Sequence, residues 1–140
     1  MVDSFDSRHG QLAVFHFYQA NVADAQTNVD LSLAAIAGQN NKVTMPHSGS
    51  VVGVSAITNA AVTAGTITIT PHENGTEFAD ASVPQAVLDT TNTTSHYATA
   101  RPGAVTFDAG SVLGLSVTTA SLTPETLEMD AWLFVVLDPN

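Results

Sequence analysis

The side chains best suited to acid–base or metal chemistry near neutral pH are five histidines, His9, His16, His47, His72 and His96. They are scattered, with no pair at the spacing that presents two ligands to one metal. The chain has no cysteine, which removes thiolate nucleophiles, disulfides, Cys-ligated zinc and iron–sulfur centres. No His-Glu-x-x-His run, Walker loop, dinucleotide fingerprint or Gly-x-Ser-x-Gly elbow occurs. A Ser-His-Asp constellation needs no closeness in sequence, but the serines and aspartates stand mostly in turn contexts, where their ordinary work is to bond the backbone. Asp3 with Asp6, and Asp24 with Asp30, lack the ladder of acids closed by a glutamate that marks a calcium loop. The expectation is a non-enzymatic protein with no metal ligands and no cofactor.

The elements that would position these residues are strands. Alternation with a period of two runs through Gln11–Tyr18, Val51–Ile57, Thr66–Thr70, Val112–Thr118 and Glu128–Leu137. In the last of these Met129, Ala131, Leu133, Val135 and Leu137 share one face, and Trp132, Phe134 and Val136 the other. A terminal strand that is apolar on both sides belongs inside a sheet or against another subunit. Asn74-Gly75 between Glu73 and Thr76 predicts a tight hairpin turn, since both residues accept positive φ. Asp108-Ala109-Gly110-Ser111 predicts another. Val22, Ala25, Val29, Leu33 and Ile36 have helical spacing ending at Gly38, while Val29, Leu31 and Leu33 have strand spacing. Because charge pairs that would support a helix are missing, the strand reading is adopted for Thr27 to Ala35. The tract from Thr90 to Ser95 reads as a loop or an exposed strand. With 140 residues and no linker or repeat, the expected fold is one all-β domain of about eight antiparallel strands over residues 11–140, a β-sandwich, jelly roll or barrel.

Charge narrows the partners. Thirteen Asp and Glu against three Lys and Arg give −10 at pH 7, a field that repels nucleic acid and anionic membranes. Only 11% of residues are charged, against about 25% in an ordinary domain, so the polar surface must be mainly Thr, Ser, Asn and Gln. No apolar run approaches the ~18 residues of a membrane helix. The first nine residues lack the basic-then-apolar order of a secretion signal, and synthesis in a cytoplasm is the expectation.

Two stretches carry a resemblance. Met45-Pro46, Ser48 to Ser55, Ala64 to Thr70 and Asn74-Gly75-Thr76 form the first. Phe107 to Thr119, Leu122-Thr123-Pro124 and the closing apolar strand form the second. Over roughly residues 45 to 137 the chain resembles the small jelly-roll domains of tailed bacteriophages, found as head decoration (capsid-stabilising) proteins and as modules of head or tail fibres. The resemblance implies a homotrimer on the outer surface of the virion head, clamping neighbouring subunits of the major capsid protein. Residues 1–10 would be the arm that reaches the shell, with Val2, Phe5 and Arg8 as its contacts; a frayed terminus is the alternative. A fibre or tail-associated module recognising a host surface or carbohydrate is the second function, and a cell-surface adhesion domain the third. Tyr97 is the modest candidate for stacking on a sugar.

If the first and last strands pair, Phe15, Phe17, Tyr18, Trp132 and Phe134 make one aromatic patch. It reads either as core or as the trimer interface, to which Phe15, His16, Phe17, Trp132 and Phe134 are assigned. His16, between two aromatics, is the residue expected nearest a threefold axis, as a hydrogen-bonded side chain or, alternatively, as one of three imidazoles around a metal ion.

Overall fold

The computed structural model describes residues 10–34 and 42–139. The arm residues Val2, Phe5 and Arg8 lie outside them, as do His9, Ala35, Ile36 and Gly38. In chain order the strands are β1 (Gln11–Val22), β2 (Val29–Asp30), β3 (Ser32–Leu33), β4 (Val43–Thr44), β5 (Gly49–Thr58) and β6 (Ala64–Glu73). They continue as β7 (Thr76–Glu77), β8 (Ala86–Leu88), β9 (Ser95–Thr99), β10 (Thr106–Phe107), β11 (Val112–Thr123) and β12 (Leu127–Leu137).

All pairings are antiparallel and build two sheets. In the first, β12 lies between β1 and β5, and β9 and β10 share the far side of β5. In the second, β11 lies beside β6, β2 and β4 share the far side of β11, and β7 and β8 share the far side of β6. Counting fragments that share one side of a partner as one position, and β3 as an addition at the edge of β1, leaves eight positions. Their orders are 1-8-3-6 and 2-7-4-5, the interleaving of a jelly roll. The twelve short elements are therefore the expected eight strands, some of them broken.

Local chemistry explains the breaks. Asn74 (φ 53°) and Gly75 (φ 84°) hold the expected turn between β6 and β7, and Asn74 Oδ1 also accepts the N–H of Val112 at 2.9 Å. The stretch around Leu31 is extended, as the strand reading expects, but it changes sheets: β2 pairs β11 while β3 pairs β1. Leu31 at the corner is fully buried, its N–H donating to Leu115 O at 2.9 Å. The Thr-rich tract is a turn as far as Thr94, then strand β9. Asp89 Oδ1 holds that turn by accepting the N–H groups of Thr91 and Asn92, both at 2.8 Å. Those two bonds, Asn92's first, keep the Asp89 carboxyl below its ordinary range.

One core fills the space between the sheets. Phe17, Val54, Leu133 and Met129 enter it from the first sheet, Ile67, Ile69, Leu113 and Leu115 from the second, all essentially without exposure. Each comes from an alternate position of its strand, as the pleat requires.

Candidate functional site

With the inward positions used by the core, the outward positions define two faces. On the first sheet the outward rows run from β1 through β12 to β5 and β9. Leu12 stands opposite Val136, Val14 opposite Phe134, His16 opposite Trp132, and Tyr18 opposite Asp130. Across β12 the rows continue as Trp132–Ser55–Tyr97 and Asp130–Ile57–Ser95. This face is apolar over most of its width, with Leu12, Val14, Ile57 and Tyr97 exposed.

Its centre is a stack. The rings of His16 and Trp132 lie 4.9 Å apart and within 9° of parallel, the close contact expected of directly opposed residues on one face of a sheet. His16 Nε2 also meets Asp130 Oδ1 at 2.8 Å, on the diagonal. Beside the stack, Gly53 faces Phe134, and its missing side chain opens a groove of about 450 Å³ lined by Val52, Ser55, Tyr97, Thr99 and Phe134.

The five residues assigned to an interface are divided by the pleat. His16, Trp132 and Phe134 stand together on the outer face, where a second molecule can reach them. Phe17 is fully buried and Phe15 packs against the core, so both belong to the interior of one chain. Leu12, Val14, Ile57 and Gly53 share that outer face without a sequence signal that singles them out. Leu12 and Val14 belong to a run with apolar groups on both sides, and only β1's register decides that their side faces outward.

The outer face of the second sheet is polar. Thr66, Thr68, Thr70 and His72 of β6 stand opposite Ala120, Thr118, Ser116 and Gly114 of β11. His72 Nε2 and Ser116 Oγ share a hydrogen bond, Gln85 Nε2 donates to Thr70 Oγ1 at 3.0 Å, and Thr118 Oγ1 donates to Asn28 Oδ1 at 3.1 Å. The pair Ser116–His72 has the composition of a nucleophile with its base. Ser116 is 0% exposed and His72 4%, so no substrate reaches the hydroxyl in this conformation. Burial, the largest cause, holds the His72 imidazole below its ordinary pKa; Asp30 and Glu77 push the other way. Among the described residues no three His, Asp or Glu side chains come together in a group able to hold a metal.

No protein-family model matches the sequence, and no curated protein matches it. Among solved structures, the fold is similar to a chain of the cyanophage Pam1 capsid asymmetric unit. That likeness covers 98% of this chain and 90% of that one, with a TM-score of 0.51 and 14% identity. At that identity it is a likeness of fold, and it runs nearly end to end in both.

Proposed function

We propose that the chain is a structural protein of a phage head: a decoration protein that binds the assembled major capsid shell as a homotrimer and stabilises it from the outer surface. The observation that carries this reading is the end-to-end jelly-roll likeness to a chain of a phage capsid asymmetric unit. Among the described residues, the Ser116–His72 pair, which has the composition of a nucleophile with its base, is sealed from solvent. A protein that binds assembled shell more tightly than free coat protein stabilises the shell by mass action. Three contacts on one trimer would raise the effective affinity further, and in this reading residues 1–10 supply them. A net charge of −10 suits a more basic shell surface.

One observation favours the fibre or tail-associated reading. Tyr97, 70% exposed beside Ser55 and Thr99, offers an aromatic with polar neighbours, the elements of a sugar site. The mostly apolar groove wall weighs against it.

Light-scattering mass combined with co-sedimentation against empty heads of the encoding phage tests the proposal. A mass of three chains, saturable binding to expanded shells and little to free coat protein is the expected result. A trimer that ignores shells but pellets with cells or polysaccharide overturns it in favour of the fibre module. A non-binding monomer overturns both.

A further inference from the structure

The outer face of the first sheet carries a ridge and a groove side by side. Leu12 and Val14 protrude from β1 at 59% and 47% exposure. Across β12, two strand spacings or about 10 Å away, lies the groove opened by Gly53 between Phe134 and Tyr97. Within one chain the two cannot meet, because both point the same way from one sheet. Between two chains they can.

Charge restricts where copies of this chain approach one another. Among the eleven carboxylates of the described residues, only Glu128 and Asp130 lie on strands of the first sheet, both toward one end of β12. Asp130 is bonded to His16, and no Lys or Arg lies on those strands. The second sheet carries Asp30, Glu73 and Glu77. Asp24, Asp80, Asp89, Asp108, Glu125 and Asp138 stand outside the strands. Chains of net charge −10 repel across most approaches, and the Leu12–Phe134–Gly53 region brings them together at the least electrostatic cost. A shell surface of basic character would instead be drawn to the acidic regions.

We propose that this face is the contact between copies of the chain, with Leu12 and Val14 of one copy seated in the groove beside Gly53 of the next, head to tail. Such a contact is heterologous, with one surface meeting a different surface, and closes into a ring when its rotation permits. The inference deepens the assembly part of the proposed function, and closure at three rests on that reading.

Two exposed positions supply the test. Leu12→Glu spoils the ridge and Thr99→Glu the groove, each at a site outside the core, and circular dichroism checks that both remain folded; Leu12→Ser is a milder form of the first. The expected result is that wild type is oligomeric by light scattering. Each variant alone dissociates, with its self-association weakened at least about thirtyfold, the loss typical of a spoiled anchor. Mixed one to one, the variants recover a two-chain species, because one intact ridge still meets one intact groove. A monomeric wild type, folded variants that keep the wild-type mass, or a mixture that stays monomeric each overturns the contact. Shell sedimentation separates the two proposals. A wild type that binds shells while both variants keep its mass refutes this contact and leaves the proposed function standing. A wild type whose mass both variants reduce, but which ignores shells, does the reverse.

Discussion

Strands β12 and β6 are each flanked on both sides, and their inward residues are of one kind: Leu133 and Val135 on β12, Ile67 and Ile69 on β6. Their outward residues are not. β12 presents Trp132, Phe134 and Val136, whereas β6 presents Thr66, Thr68, Thr70 and His72. Inward positions answer only to the core, so they converge. Outward positions reveal what each face meets. The polar face satisfies itself through bonds such as His72–Ser116 and Gln85–Thr70. The apolar face lacks comparable polar partners among the described residues, and association would remove its area from solvent.

Three experiments strain this contrast, starting with the largest effect. Phe17→Ala removes a fully buried ring from the inward side of β1. Its expected cost is about 3–5 kcal/mol of folding stability, read as a lower midpoint in a denaturant melt of the monomer. Trp132→Ala, on the outward side of the paired strand, is expected to cost about 2–4 kcal/mol in self-association. Folding of the isolated chain should lose only about 1 kcal/mol, the scale of the His16 ring contact. Concentration-dependent mass and a melt at low concentration separate the two. Equal losses in both would mean that the outward aromatics are core in function.

The third and smallest effect concerns the polar face. Because burial lowers the pKa of His72 in the folded state, the unfolded chain binds the proton more readily. The contribution of neutral His72 is then fully present above the ordinary value near 6.5. It is lost progressively as pH falls from there toward the lowered folded value. His72→Gln should remove this slope from the melting midpoint between pH 7 and 5, without changing the mass of the assembly. Asp24 and Asp89, whose pKa values are also lowered in the fold, give up their stabilisation only under more acid conditions, below about pH 3.8, and do not confuse the reading.

Several elements were legible before folding. Asn74-Gly75 makes its turn because both residues tolerate positive φ, a property of the residues themselves. The two-sided apolarity of residues 128–137 points to a strand inside a sheet or against another subunit, and β12 lies inside its sheet, between β1 and β5. Aromatic character alone groups Phe15 and Phe17 with Trp132, because it does not say which side of a pleat faces inward. The groove at Gly53 left no signal, since it exists only where a glycine of β5 comes opposite Phe134 of β12. Ser116 and His72, 44 residues apart, likewise meet only through the pairing of β11 with β6.

The sequence by itself determined that this chain is all-β, acidic, free of cysteine and built from strands of period two with turns at Asn74-Gly75 and Asp108–Ser111, because those properties depend on single residues and near neighbours. The tertiary structure alone decided the strand order, the sheet change at Leu31, and which side of β1 and β12 became core. Register is a long-range choice, and a shift of one residue would exchange Phe17 for His16 and Leu133 for Trp132.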